Sequence, residues 1–156
     1  MLWHQMLDGL NSERIERPVE QVFAFVSDPT NDVKWHWTVL RAWRTSEGPI
    51  DVGSTFKWDA KFLGRREADV EITRCEPNHA VATLVKSGWM QVIVTYLVAP
   101  EDGATRITRR TEIPLPRLLR WLDPLVRPIA RPYANKDNGD HLRKLKEELE
   151  RPGHSA

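Results

Sequence analysis

Arg109 is the residue with the clearest capacity for chemistry, because the strand pattern around it places a charged group on an inward-facing position. Asp102–Gly103 is a strong signal for a tight hairpin turn. A hairpin centred there pairs Tyr96 with Arg109, and Ile107 marks the same face of the strand as apolar. The hydroxyl of Thr111 shares that face. The sequence therefore predicts an arginine, a threonine and a tyrosine among inward apolar side chains.

An inward guanidinium needs a partner, because burying an unpaired charge is costly. One candidate is a carboxylate on a C-terminal helix, Asp140 or Asp137. The other is a carboxylate, phosphate or enolate oxygen of a ligand, to which Arg109 offers two donors and Tyr96 a third. The helix carboxylate is the commoner arrangement, and both partners stay open at this stage.

Two neighbouring segments alternate between apolar and polar residues, as strands with one buried face do. Ser54–Phe62 carries its aromatic residues on one face, and Arg66–Cys75 carries an alanine, a valine and an isoleucine on one face. Ala60 and Ala68 are small residues beside large aromatic ones, and small residues leave volume. We therefore expect an apolar cavity rather than a filled core.

The residues that we expect to bind a ligand in this cavity are mostly aromatic or aliphatic. They are Phe56, Trp58, Val70, Met90, Val94, Tyr96, Arg109 and Trp35. The chain has 7 tryptophans among 156 residues, which is a high number, and Trp37, Trp89 and Trp121 are further candidates. Aromatic walls with few polar anchors suit a hydrophobic ligand, although the same residues would also fill an ordinary core.

No combination of residues identifies a catalytic centre. The sequence has no recognisable Ser-His-Asp set, cysteine–histidine pair, glycine-rich phosphate loop or carboxylate dyad. His36 stands alone in a turn, where a histidine is more often structural than catalytic, and the other histidines lack metal-ligand spacing. We expect no metal and no cofactor. The 23 basic and 22 acidic residues are balanced, so we expect no nucleic-acid partner.

Arg117–Glu150 is the one stretch long enough for an extended helix, and the other elements must be arranged around it. Its second half carries three leucines at helical spacing, which predicts a buried stripe: Leu142, Leu145 and Leu149. Its first half carries prolines four residues apart, at Pro124, Pro128 and Pro132. We expect a kinked or restarted helix there, with Asp123 as its N-cap.

The residues before this helix predict strands that wrap it. We expect a first strand over Trp3–Glu16, a short amphipathic helix from Pro18, and a second short helix or turn that ends near Trp37. From Val39 to Ile113, alternating segments separated by turn residues predict an antiparallel meander. A three-residue turn over Phe62–Gly64, with the glycine in the left-handed conformation, keeps two apolar faces together.

Four segments carry a family resemblance over nearly the whole chain: Ile15–Trp35, Val52–Phe56, Glu101–Glu112 and Leu142–Glu150. They resemble the START-like, Bet v 1-like (SRPBCC) superfamily, and within it the polyketide cyclase/dehydrase and lipid-transport group of small bacterial proteins. The resemblance implies an α+β helix-grip fold, in which a seven-stranded antiparallel sheet wraps a long C-terminal helix and two short helices follow the first strand. It also implies an apolar cavity that accepts hydrophobic or amphipathic small molecules.

The length and composition suit a single domain over residues 1–150, followed by a disordered tail over residues 151–156. The single cysteine excludes an internal disulfide, and no apolar run approaches the roughly 18 residues of a membrane span. We therefore expect a cytoplasmic protein without stable membrane insertion. A monomer and a homodimer are both compatible with the sequence.

Two functions follow from these expectations. The first is a non-enzymatic carrier or sensor of a lipid, polyketide or isoprenoid-like molecule held in the cavity. The second is an enzyme of the cyclase, aromatase or dehydratase type acting on a polyketide-like substrate there, with Arg109 stabilising an enolate and Tyr96 or His36 moving a proton. A protein-interaction module has less support, because the predicted outer face of the sheet is evenly charged.

Overall fold

One antiparallel sheet of seven strands forms the framework of the molecule, in a computed structural model that describes residues 6–61 and 64–154. The strands are Met6–Ile15 (β1), Val39–Arg44 (β2), Thr55–Lys61 (β3), Arg65–Glu76 (β4), Ala80–Ser87 (β5), Met90–Glu101 (β6) and Ala104–Pro114 (β7). Their order is β1-β7-β6-β5-β4-β3-β2. The sheet is therefore a six-strand meander to which β1 is added at the β7 edge.

The helices lie in the first connection and at the C-terminus. Val19–Val26 (α1) and a 3-10 helix, Pro29–Lys34, connect β1 to β2. A second 3-10 helix, Arg117–Leu122, leads into the long helix Asp123–Leu149 (α2). This is the helix-grip fold that the sequence predicts, with one α-helix and one 3-10 helix as the two short helices after the first strand.

The strand registers that the sequence predicts are confirmed. Trp58 pairs with Ala68 between β3 and β4, and both side chains are buried. Tyr96 pairs with Arg109 between β6 and β7, across the tight turn at Asp102–Gly103. The inward position of Arg109 is thus a direct result of turn length and strand alternation.

The core lies between the inner face of the sheet, α1 and the second half of α2. Leu142, Leu145 and Leu149 are fully buried, as their spacing predicts. They form one apolar cluster with residues that the strands turn inward, including Ile15, Phe56, Val70, Ile72 and Ile107. Each side chain of this size contributes about 1.5–3 kcal/mol on burial, so the cluster fixes the second half of α2 against the sheet.

A close backbone approach holds α2 against β1. Gly9 is buried next to Ala134, and a Cβ atom at Gly9 would lie 2.5 Å from the Cβ of Ala134. Only a residue without a side chain allows this approach. Beside it, the N–H of Leu10 donates a hydrogen bond to Oδ1 of Asn135 at 2.8 Å. These contacts anchor the helix to the edge strand.

The start of α2 differs from the sequence prediction. The helix begins at Asp123 itself, so Asp123 is not the N-cap, and its carboxylate instead pairs with Arg127 at 2.9 Å. The helix also continues through Pro128 and Pro132 instead of restarting. Each of these prolines removes one hydrogen bond of the helix ladder, and the remaining bonds maintain the helix.

Three sequence predictions concern residues at or beyond the limits of the described ranges: the start of the first strand, the turn after β3 and the C-terminal tail. Residues 1–5 lie outside the described residues, and with them the predicted beginning of the first strand at Trp3. Phe62 and Leu63 also lie outside them, while Gly64 has the expected positive φ of 103°. The tail predicted to be disordered is described as far as His154, whose ring lies 5.2 Å from that of Phe25.

Candidate ligand-binding cavity

A cavity of about 400 Å³ lies between the inner face of the sheet, the first 3-10 helix and α2. Small-molecule sites commonly have volumes of about 300–1,000 Å³. Most of the wall is aliphatic or aromatic, and its apolar residues include Val26, Trp58, Ala60, Ala68, Val85, Met90, Val92, Val94 and Ile113. The polar groups of the wall are few and lie close together.

The residues expected to bind a ligand fall into two groups. Five line the cavity: Trp58, Met90, Val94, Tyr96 and Arg109. The other three, Phe56, Val70 and Trp35, are buried in the apolar cluster and are not among the lining residues. Of the further tryptophans, Trp37 lines the cavity, while Trp89 and Trp121 are exposed.

Arg109 is 4% exposed, and α2 supplies its main partner. Its Nη1 donates a hydrogen bond to Oδ1 of Asn138, and its Nε donates to the Tyr96 hydroxyl at 3.3 Å. The Thr111 hydroxyl donates to the same Asn138 oxygen at 2.7 Å. A carboxylate oxygen of Asp137 lies 3.8 Å from Nη1. The partner on the helix is therefore chiefly an amide, with a more distant carboxylate.

Asp140 is not a partner of Arg109, because its carboxylate pairs with Lys136 at 2.7 Å and with Arg143 at 3.1 Å. The Nη2 group of Arg109 makes no hydrogen bond to any residue that the structure describes. The guanidinium thus retains donor capacity that the surrounding side chains do not use.

Asp32, on the first 3-10 helix, is a buried acid in the same wall. Burial raises the pKa of Asp32 to about 8, although the positive charge of Arg109 acts in the opposite direction. Burial also raises the pKa of Tyr96 to about 12. At neutral pH both groups are uncharged, so neither compensates the charge of Arg109.

Two histidines form a second polar group beside Arg109. The rings of His36 and His141 lie 4.2 Å apart, and Trp37 stacks on His141 at 3.8 Å. Nδ1 of His36 lies 2.9 Å from the hydroxyl oxygen of Thr38. Burial lowers the pKa of His36 well below its usual value, and the nearby His141 adds to this effect. His36 is therefore neutral at physiological pH.

His141 is held by Asp137, one helical turn earlier. Its Nδ1 lies 2.8 Å from the Asp137 carbonyl oxygen and 3.2 Å from the Asp137 carboxylate. Burial alone would raise the pKa of Asp137, but the hydrogen bond to His141 and the positive charge of Arg109 lower it. Nε2 of His141 is buried without a partner among the described residues. A histidine held through Nδ1 in this way can accept a proton on Nε2.

Sequence reasoning missed Asp32, Asn138 and His141. A signal existed for the last two, because they extend the face of Leu142 and Leu145 backwards by one helical turn. Polar residues that continue a buried stripe are candidates for an internal polar cluster. Asp32 had no comparable signal, because the direction of a side chain in a short 3-10 helix depends on how the helix packs.

A family model described as polyketide cyclase / dehydrase and lipid transport matches residues 10–150. Among curated proteins, none matches the chain. In the described part of the chain, no helix is long and apolar enough to cross a membrane. The same residues include no group of three or more histidine, cysteine, aspartate or glutamate side chains placed to hold a metal ion.

Solved structures with low sequence identity share the fold. A START superfamily protein from Mycobacterium smegmatis has a TM-score of 0.66 and 14% identity over 90% of this chain and 94% of its own. Ara h 8.0201 has a TM-score of 0.61 and 12% identity over 94% and 99% of the two chains. The di-domain ARO/CYC StfQ from the steffimycin biosynthetic pathway has a TM-score of 0.69 and 12% identity over 94% of this chain and 51% of its own.

Proposed function

The chain belongs to the polyketide cyclase/dehydrase and lipid transport family, and on this basis we propose that its cavity binds a hydrophobic or amphipathic small molecule, which the protein carries or senses. The observation that carries the proposal is the cavity of about 400 Å³ with mostly apolar walls. An apolar ligand gains from leaving water in such a site, roughly in proportion to the area that it buries. Lipid, polyketide and isoprenoid-like molecules all have the necessary apolar surface.

The polar end of the cavity selects the head of the ligand. Arg109 is the buried positive charge there, and Asp32 is protonated at neutral pH because burial raises its pKa to about 8. The nearest carboxylate to Nη1, that of Asp137, is 3.8 Å away and about half exposed. An oxygen-bearing head, such as a carboxylate or enolate, would accept the hydrogen bond that Nη2 of Arg109 does not make within the described residues.

Binding in the cavity can be tested by filling it. Ala60→Phe adds a ring to a lining position, whereas Ala99→Phe adds the same ring to an exposed position on β6. The probe is N-phenyl-1-naphthylamine, an apolar dye whose fluorescence rises when it leaves water. We expect Ala60→Phe to weaken dye binding by about tenfold or more, which is 1.4 kcal/mol, and Ala99→Phe to leave it unchanged. Failure of the native protein to bind the dye would overturn the proposal.

The role of Arg109 can be tested with a second dye of the same skeleton. 8-Anilino-1-naphthalenesulfonate adds an anionic head to the ring system of the first dye. Arg109→Gln should weaken binding of the anionic dye by about 1.5–3 kcal/mol, the usual contribution of a hydrogen bond to a charged group. Binding of the neutral dye should stay the same. Equal losses for both dyes, in protein shown by circular dichroism to be folded, would exclude head-group selection by Arg109.

A cyclase-type enzyme is a second candidate, and the pair of Asp137 and His141 is the observation that favours it. Nε2 of His141 has no partner in the described part of the chain, and Arg109 lies close to Asp137. His141 would take an α-proton from a β-keto substrate while Arg109 stabilises the resulting enolate. A β-ketoacyl thioester incubated in deuterated water should then exchange its α-protons faster with the native protein than with His141→Gln. Equal exchange rates would exclude His141 as the base and leave the carrier function as the remaining proposal.

A further inference from the structure

The first half of the C-terminal helical segment presents a row of large apolar side chains to solvent. We call this row the exposed stripe: Leu118, Trp121, Leu125, Ile129 and Tyr133. Its members follow one another at intervals of three or four residues, so they share one face of the second 3-10 helix and α2. Leu118 is 82% exposed and Trp121 is 70% exposed. A contiguous apolar surface of this kind marks an interaction site.

The exposed stripe lies at the end of the sheet to which the cavity extends. Ser87, Met90 and Ile113, which stand at the ends of β5, β6 and β7 on this side, all line the cavity. The chain leaves β7 there and enters the second 3-10 helix. Trp89, in the turn between β5 and β6 at the same end, is 78% exposed. Apolar surface is therefore concentrated around this end of the cavity.

The charge of the same segment shows which surface it fits. Residues 113–135 contain four arginines, Arg117, Arg120, Arg127 and Arg131, and one acid, Asp123. Asp123 is buried and paired with Arg127, and Asp8 of β1 lies 4.0 Å from Arg131. Four arginines against these two acids leave the surface of the segment with a net positive charge. Two copies of the chain that met through this surface would bring like charges together, which is unfavourable. An anionic surface is complementary to it.

The residue types favour a lipid surface over an anionic protein. Tryptophan and tyrosine, here Trp121 and Tyr133, are the aromatic residues that prefer the boundary between lipid head groups and acyl chains. Arginine can keep its charge at the head groups while its stem lies along apolar surface. A helical segment with aromatic and aliphatic residues on one face and arginines beside them is typical of helices that lie in this boundary.

We propose that the exposed stripe docks the protein onto the surface of a bilayer containing anionic phospholipids. The stripe enters the boundary region, and the arginines contact lipid phosphates. Docking brings the Met90 and Ile113 end of the cavity to the membrane, where an apolar ligand can pass between the bilayer and the protein without crossing water. The docking itself does not depend on the cavity being occupied.

Co-sedimentation with vesicles tests this proposal. We expect the native protein to bind vesicles of mixed phosphatidylglycerol and phosphatidylcholine, and to bind pure phosphatidylcholine vesicles much more weakly. The double variant Trp121→Glu/Leu125→Glu should lose at least about tenfold in binding, because two large apolar side chains no longer enter the lipid. The control Val52→Glu/Leu97→Glu makes the same change of charge at exposed apolar positions toward the other end of the sheet, and should bind as the native protein does.

A third variant measures the electrostatic contribution. Arg117→Gln/Arg131→Gln should weaken binding to the anionic vesicles by about fivefold for each arginine removed, and added salt should have a similar effect. No binding of the native protein to anionic vesicles at low salt would overturn the proposal, as would an equal loss in the control. If the native protein does not bind vesicles but forms a dimer, and Trp121→Glu/Leu125→Glu dissociates that dimer, the exposed stripe is instead an interface with a second copy of the chain.

Discussion

The two halves of the C-terminal helical segment both repeat apolar residues at helical spacing, but the second half is buried and the first half is exposed to solvent. In the second half Leu142, Leu145 and Leu149 are fully buried, while in the first half Trp121 and Leu125 are mostly exposed. Both halves repeat large apolar residues at helical spacing. The difference lies in what faces them. The second half packs against the inner face of the sheet, whereas the first half contacts β1 through Arg131, which lies 4.0 Å from Asp8, and through Ala134, which lies beside Gly9.

This comparison shows that helical spacing defines a face without defining its neighbour. An apolar stripe becomes core only where the rest of the chain supplies a complementary surface. The polar residues differ in the same way. Asn138 and His141, in the second half, are buried in the cavity cluster. Arg127 and Arg131, in the first half, form ion pairs with Asp123 and Asp8 that remain partly exposed.

The largest expected effect is on stability, when one leucine is shortened in each half. Leu145→Ala creates a cavity among fully buried side chains and should lower the free energy of unfolding by about 2–5 kcal/mol. Leu125→Ala removes the same atoms from an exposed position and should change it by less than about 0.5 kcal/mol. Urea denaturation of both variants measures the two values. Similar losses would mean that the first half of the segment is also covered by the protein.

A smaller effect is expected from the polar residues of the second half. Asn138→Ala removes the acceptor for Arg109 and Thr111 and should cost about 1.5–3 kcal/mol, as for hydrogen bonds to a charged group. Lys136→Ala, two residues away, breaks an exposed ion pair with Asp140 and should cost no more than about 1 kcal/mol. Thermal unfolding followed by circular dichroism compares them. A cost for Asn138→Ala as small as for Lys136→Ala would show that the buried cluster is not held by α2.

Over a single pH unit, the smallest effect is the pH dependence that arises from Asp32, on the first 3-10 helix. Burial raises the pKa of Asp32 to about 8 from an ordinary value of 3.8. Between these two values the folded protein keeps a proton on Asp32 that the unfolded chain releases. The contribution of Asp32 to stability therefore falls as the pH rises, by about 1.4 kcal/mol per pH unit, and levels off above the folded pKa.

Asp32→Asn isolates this contribution, because asparagine keeps the shape of the side chain and does not titrate. The free energy of unfolding of the native protein, minus that of Asp32→Asn, should decrease steadily between pH 5 and pH 8 in urea titrations. The lowered pKa of His36 acts in both proteins, where it reduces stability as the pH falls below 6.5, and it cancels in the difference. Parallel curves for the two proteins would show that Asp32 is ionised in the fold.

The sequence predicts the fold well because the signals for the fold are local. Turn residues at Asp102–Gly103 and strand alternation determine the register that pairs Tyr96 with Arg109. The spacing of Leu142 and Leu145 identifies the face of α2 that is buried. Each of these signals depends on a few neighbouring residues, and the structure preserves all of them.

The candidate site is less predictable because it is assembled from distant parts of the chain. The sequence offers a helix carboxylate or a ligand oxygen as the partner of Arg109, whereas in the structure Asn138 on α2 accepts its hydrogen bond and Asp137 lies 3.8 Å away. The residue of α2 that contacts Arg109 depends on the position of the helix along the sheet. Contacts such as that between Gly9 and Ala134 determine this position. No local pattern encodes that distance.

The pairing of β1 with β7 has a consequence for how the molecule assembles. β1 pairs with β7, for example at Leu10 and Arg110, whereas every other pairing in the sheet joins strands that are neighbours along the chain. The meander from β2 to β7 can form by successive hairpins. β1 can pair only after β7 has formed, and this pairing is slow because it closes a loop that includes all the other strands. α2, which packs on β1, then completes the wall of the cavity. We therefore expect the cavity to form last, when the two ends of the chain meet.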